Sequence, residues 1–278
     1  MQNLHWWQVL NPAIYLVSIL PSIGVWLLVQ PEGKTQLALF IATFAVVLVQ
    51  HAINLFNDVA DWKLGADVEK WDSWVRFHNQ NLSVATFHGW LSFIASGLLG
   101  FATLIWIEKL WILLIALPLI GLGYLYNSGE KPLSYSRSGE WVTAICYGGV
   151  FSCLWFVASQ KLELPIFLGS IAFGSLAVAL LLSHQPRQIE TDRRVNKQTF
   201  AVRFGEQKTH QAVRILFLIF FTTWNYALFI SEPNATLLIV SLWIACFVFG
   251  HSLCDIPNPK RLLCTASLPF FVMLVMAH

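Results

Sequence analysis

What most limits the fold of this chain is how often it runs for about sixteen residues or more with scarcely a charge. Nine such stretches cover residues 11–30, 36–57, 85–107, 110–126, 140–159, 164–184, 211–230, 235–256 and 262–277. A helix crosses a bilayer with about 20 apolar residues, and tilt absorbs small mismatches. Lipid offers the backbone no hydrogen-bond partners, so runs of this kind must be helical. A membrane barrel would need alternating segments of about ten residues, a pattern absent from the sequence. Charged residues are 12% of the chain, about half the share usual in soluble domains. The expectation is an all-α polytopic membrane protein of about nine transmembrane helices, one domain over residues 1–278. The first ten residues hold no Lys or Arg, so no signal-peptide n-region is expected. His5, Trp6 and Trp7 read as an interfacial belt. The five cysteines include no CxxC pair and read as small buried hydrophobes.

Charge is distributed very unevenly between the two sides. Segments 58–84, 127–139, 185–210 and 257–261, together with Arg214 one turn into the seventh span, carry fourteen Lys and Arg. The alternate connections carry only Lys34, Lys109 and Lys161. The positive-inside rule assigns the basic side to the cytoplasm, with the N-terminus inside and the C-terminus outside. The three longer segments, about 58–84, 127–139 and 185–210, are then cytoplasmic caps. Within the first, Val68, Trp71 and Val75 would share one face of an amphipathic interfacial helix; a solvated loop with anchoring tryptophans fits the same residues.

The acidic stretch "NLFNDVADWKLGAD", residues 54–67, follows the second span almost without a break. If that helix continues, Asn54, Asp58 and Asp61 fall at i, i+4 and i+7, and Asn57 and Asp61 at i, i+4. Gly65 is placed to end the helix and turn Asp67 back toward the others. Carboxylates at a helix C-terminus oppose the macrodipole, so solubility alone explains them poorly. As hard oxygen donors they suit Mg²⁺, which commonly shares its shell with waters and substrate phosphates. A second polar cluster, "SHQPRQIETDRRVNKQTFAVRFG", follows the sixth span. There His184, Gln188 and Asp192 recur every four residues, Pro186 sits at a first turn or kink, and Arg193, Arg194 and Lys197 surround the acid. Interleaved acid and base beside a span suits a metal–diphosphate complex. The third cluster, "YLYNSGEKPLSYSRSGE", brings Tyr126, Lys131, Tyr135 and Arg137 to the same side, either to meet an anion or as an interfacial loop.

Together these clusters resemble the UbiA superfamily of intramembrane prenyltransferases, most of all its branch that prenylates 1,4-dihydroxy-2-naphthoate in menaquinone synthesis. The branch's NDxxDxxxGxD pattern is met by Asn57, Asp58, Asp61, Gly65 and Asp67. Its second-motif tail is met by Thr191, Asp192, Arg193, Lys197, Thr199, Ala201, Val202, Arg203 and Gly205, and the loop after its fourth helix by Pro132, Leu133, Tyr135, Gly139 and Glu140. The resemblance implies a UbiA-like bundle in which Asp58, Asp61, Asp67, Asp192 and Gln188 hold Mg²⁺. It implies that Lys131, Arg193, Lys197 and Tyr126 bind the diphosphate. It gives Asn54, Asn57, Asp58 and Asp61 catalytic or orienting roles. The partners would be a polyprenyl diphosphate, an aromatic acceptor and membrane lipid, with no nucleic acid, and the location a bacterial inner membrane.

Three departures stand out. The second motif's DxxxD reads Gln188-x-x-x-Asp192, the Arg-Pro pair that opens the first helix reads Asn11-Pro12, and "KWDSWVRFHNQNLS" follows the family loop poorly. An amide oxygen can still coordinate but carries no charge, so Gln188 should weaken metal binding. A diverged member that binds a prenyl lipid or partner without turning it over is the alternative.

Overall fold

The computed structural model describes residues 5–66, 68, 70–129, 132–231, 238–240, 242–247 and 258–276. A short helix α1 (Trp6–Leu10) and a 3-10 turn (Pro12–Tyr15) lead into α2 (Leu16–Val29). Then come α3 (Gly33–Leu64), α4 (Trp74–Phe77), α5 (Leu82–Trp106), α6 (Leu113–Asn127) and α7 (Gly139–Ala158). α8 (Leu164–His184) passes through a 3-10 turn (Gln185–Gln188) into α9 (Ile189–Arg194). α10 (Phe200–Phe204), α11 (Glu206–Ser231), α12 (Leu238–Phe247) and α13 (Pro259–Met276) complete the order. Among the described residues, eight helical stretches are long and apolar enough to cross a membrane. α12 falls inside the predicted span 235–256, the rest of which lies outside the described residues.

Several boundaries differ from the hydropathy reading, and each difference has a cause. α3 runs seven residues beyond position 57 because polar residues can continue a helix once it leaves the hydrocarbon. α11 and α13 likewise begin on charged or polar turns, at Glu206 and at Pro259, so Lys208, Lys260 and Arg261 are helical. In segment 68–84 the expected face does not form. Val68 and Trp71 are exposed, whereas Trp74 and Val75 are buried. The described helix there before α5 begins is four residues long, with Ser73 capping it through a bond from the Arg76 amide. Trp74 packs on Val9 and Leu55, so the segment is a wedge against α1 and α3.

Apolar side chains gain little by leaving lipid for a bundle, so close packing and interhelical hydrogen bonds must hold it. α8 is the central helix, contacting α7 along its length through two glycines. A Cβ at Gly148 would lie 2.7 Å from the Ser170 carbonyl oxygen, and one at Gly174 would lie 2.7 Å from that of Ala144. Ser152 and Ser170 hydroxyls bond across the same seam at 2.8 Å, and Ser96 donates to the Ala45 carbonyl at 2.8 Å between α5 and α3. Around α8 the core is aromatic: Phe151 stacks on Phe173 and Trp224 on Phe270. At the end of the bundle away from the acidic stretch, Lys109 caps the α7 C-terminus. Its ammonium donates to the Phe156 and Val157 carbonyls, both at 2.9 Å, which suits the negative end of a helix. Burial lowers its pKa. α6 is the least embedded helix; only Gly123 and Asn127 are buried on it.

Candidate active site

The acidic end of α3 is built by its terminator. Gly65 takes φ 83°, a left-handed conformation that a Cβ disfavours. That turn lets the Gly65 and Ala66 amides satisfy the carbonyls of Trp62 and Asp61. Helical continuation puts Asn54, Asn57 and Asp61 on the wall of a cavity of about 480 Å³. Asp58, one residue off that line, turns to the base of α4. Its carboxylate accepts from the Lys70 ammonium at 2.8 Å and the Trp74 amide at 2.7 Å.

Asp61 is the hub of the cavity mouth and is 2% exposed. It accepts from the Asn57 amide at 3.0 Å, the Tyr135 hydroxyl at 2.7 Å and the Lys197 ammonium at 3.2 Å. Lys197 also lies 3.9 Å from Asp192, whose other oxygen accepts from Thr199 at 3.2 Å. The Gln198 amide donates to the Tyr135 carbonyl. The connections after α3, α6 and α8 therefore meet at one end of the bundle, around two buried carboxylates and one lysine. Glu140, at the start of α7, anchors the third connection. It accepts from the Phe200 amide at 2.7 Å, satisfying a free donor at the α10 N-terminus, and pairs with Arg203 at 3.3 Å.

Pro186 opens the 3-10 turn that breaks the stripe expected of one continuous helix. His184, Gln188 and Asp192 nevertheless all line the cavity. Tyr126 lines it too, with its hydroxyl on Thr143. Arg193 was expected in the diphosphate set. It is exposed and pairs with Glu190 at 3.0 Å, because consecutive residues of a helix face different ways. Asp67 and Lys131 lie outside the described residues.

Sequence reasoning missed several residues at the mouth. Lys70 and Asp72 line the cavity from a loop without periodicity. Gln185, which neighbours the expected stripe, bonds Glu140 and the Ala201 amide. Asn127 and Ser134 line the cavity with a side-chain oxygen each that is buried and unbonded, so the wall offers polar atoms to a ligand. Thr199 was legible as an N-cap before an apolar turn, since its hydroxyl accepts from Val202. Away from the mouth the lining becomes apolar, with Val46, Val49, Leu119, Ile120, Leu180 and Leu181.

Among the described residues no group of three His, Cys, Asp or Glu stands close enough to hold a metal ion. The donor chemistry still fits one. Asp58, Asp61 and Asp192 are buried hard-oxygen donors, and each now has an ammonium beside it. A divalent cation can satisfy the same carboxylates when lysine side chains swing away.

A sequence profile described as the UbiA prenyltransferase family matches residues 17–275. A 1,4-dihydroxy-2-naphthoate octaprenyltransferase of Bacillus subtilis is 28% identical, covering 82% of this chain and 78% of the relative. The Haemophilus influenzae protein of the same name is 29% identical, covering 73% and 70%. Among solved structures, a UbiA homologue from Archaeoglobus fulgidus bound to GPP and Mg²⁺ superposes with TM-score 0.68, 18% identity and coverage of 97% and 96%. An apo UbiA homologue from Aeropyrum pernix gives TM-score 0.70 at 13% identity, covering 96% and 98%. At these identities the structural likeness speaks for the fold.

Proposed function

Because the chain belongs to the UbiA prenyltransferase family, we propose that it moves a prenyl group from a polyprenyl diphosphate to an aromatic acceptor, a naphthoate first among candidates. The observation that carries this reading is one cavity with an acid–base mouth and an apolar interior. Diphosphate belongs at the mouth and the isoprenoid tail among Val46, Val49, Leu119, Ile120, Leu180 and Leu181.

Asp58, Asp61 and Asp192 are the residues to hold Mg²⁺, with the Gln188 amide oxygen and Asp67 completing the set. When bound, the metal neutralises the diphosphate and helps it leave. The protein's own part is orientation and charge. Tyr135 and Asn57 fix the Asp61 carboxylate through two hydrogen bonds. Lys70 and Lys197, released from their carboxylates, face the phosphate oxygens, and Lys131 belongs to the same diphosphate set. Tyr126 contributes a hydroxyl, and Arg193, now paired with Glu190 at the surface, is a further cation of the same set. Asn54 orients the acceptor. The apolar walls keep water from the allylic cation that develops at C1, and aromatic faces stabilise its charge.

The distribution of Lys and Arg supports a cytoplasmic mouth and N-terminus with the C-terminus outside, in a bacterial inner membrane. The test is a membrane-fraction assay with labelled farnesyl or geranylgeranyl diphosphate and a panel of aromatic acceptors. Product is expected, and it should vanish with EDTA and in Asp61→Ala. Donor binding without product across the panel would instead favour a non-catalytic prenyl-lipid binder.

A further inference from the structure

Three histidines from three elements form a line that the diphosphate chemistry does not use. The Tyr15 hydroxyl is 2.7 Å from His51 Nδ1, His51 Nε2 is 3.3 Å from His88 Nε2, and His88 Nδ1 is 3.2 Å from His78 Nε2. Tyr15 closes the 3-10 turn before α2, His51 lies on α3, His88 on α5, and His78 just past α4. The inner end touches the cavity wall, since the Tyr15 hydroxyl also meets Asn54, which lines the cavity. At the outer end His78 is partly exposed beside the exposed turn residues Asn79 and Gln80. Trp74 covers the line, edge-on to His51 and His88 and stacked on His78. The other groups facing it are Asn54 and the Asp58 carboxylate, both toward Tyr15.

A neutral imidazole has one N–H and one lone pair. With Tyr15 donating to His51, His51 donates from Nε2 to His88, and His88 donates from Nδ1 to His78. Every link is made. If each proton shifts one place outward, every link is made again in the opposite sense, and one proton has left from His78 Nδ1.

We propose that Tyr15, His51, His88 and His78 form a proton path from the acceptor subsite to the cytoplasmic rim. The proposal rests on the transferase reading. In that reaction the C1–O bond of the donor breaks and diphosphate keeps the electron pair. A ring carbon bonds C1, and one proton leaves the acceptor. The hydroxyl proton of a phenolic acceptor, oriented by Asn54, goes first to the Tyr15 oxygen as the Tyr15 proton passes to His51. The phenolate attacks, and the hydrogen on the substituted carbon then returns to its oxygen as the ring rearomatises. Burial lowers the pKa of His78, so at neutral pH it stays neutral and passes the proton on.

The test is His88→Gln, which retains polar contacts but cannot relay, in membranes with saturating donor. With an acceptor protonated at the assay pH, kcat should fall at least 10-fold while KM is unchanged. With a nitrophenol already ionised at that pH, the variant should match the wild type. His78→Ala should regain turnover with added imidazole. Equal slowing of both acceptors in a His88→Gln protein of wild-type thermal stability, or slowing of neither, overturns the path. If His88→Gln does not fold, His78→Ala carries the same comparison. If the wild type forms no product with any acceptor, the transferase reading falls, and the line is judged by ¹⁵N-histidine spectra. Imidazoles titrating together support a linked chain; independent titrations overturn it.

Discussion

Replacing Lys197 with methionine keeps most of its stem but removes an ammonium that Asp61 and Asp192 share. Both carboxylates are 2% exposed, so water cannot take over. Breaking a buried ion pair costs about 3–5 kcal/mol. The lower end applies here, because Asp61 keeps its bonds from Tyr135 and Asn57, and Asp192 keeps Thr199. A loss of about 3 kcal/mol lowers the melting temperature of a chain of this size by roughly 6–12 °C. The assay is thermal unfolding in nanodiscs, in EDTA and again in Mg²⁺. The drop should be full in EDTA and shrink in Mg²⁺, where a divalent ion replaces the missing charge. An unchanged melting temperature in EDTA, or an equal drop in both buffers, would refute this account of the mouth.

Gln188→Asp adds a carboxylate beside Asp192, and the Mg²⁺ concentration giving half-maximal turnover should fall several-fold; an unchanged or higher requirement in that titration would remove Gln188 from the metal site. Gly174→Ala drives a methyl to 2.7 Å from the Ala144 carbonyl oxygen, an overpacking cost of about 1–3 kcal/mol that a melting curve will register. His78 has its pKa held below 6.5 by burial. The unfolded chain therefore binds more protons in the window below pH 6.5, and stability falls as pH drops through it. His78→Gln should flatten that part of a stability–pH curve.

The fold was legible because lipid leaves a chain so few options. Apolar run length alone located most spans, and only their polar extensions, as in α3 and α11, escaped it. Asp61 and Gly65 could be read together because helical spacing and a left-handed terminator are both local properties. Arg193 is exposed while Asp192 is buried for an equally local reason. Adjacency to Asp192 looks like partnership in a sequence, but a helix turns neighbours apart. Lys70 and Tyr135 were beyond reach as partners of Asp58 and Asp61. Those contacts close across loops with no periodicity, and they exist only once the connections after α3, α6 and α8 have met. The histidine line was hidden likewise, its members spread over 74 positions from Tyr15 to His88.

In the proposed reading the lysines beside Asp58 and Asp61 also bear on what this mouth accepts. A lone diphosphate approaching it meets the carboxylates, and a lone divalent ion meets the ammonium groups. Each is opposed by half of the resting site. An ion pair arriving together is opposed by neither, since its metal draws the acids while its phosphates draw the bases. In the proposed reading the mouth therefore favours metal and diphosphate arriving together over either one alone.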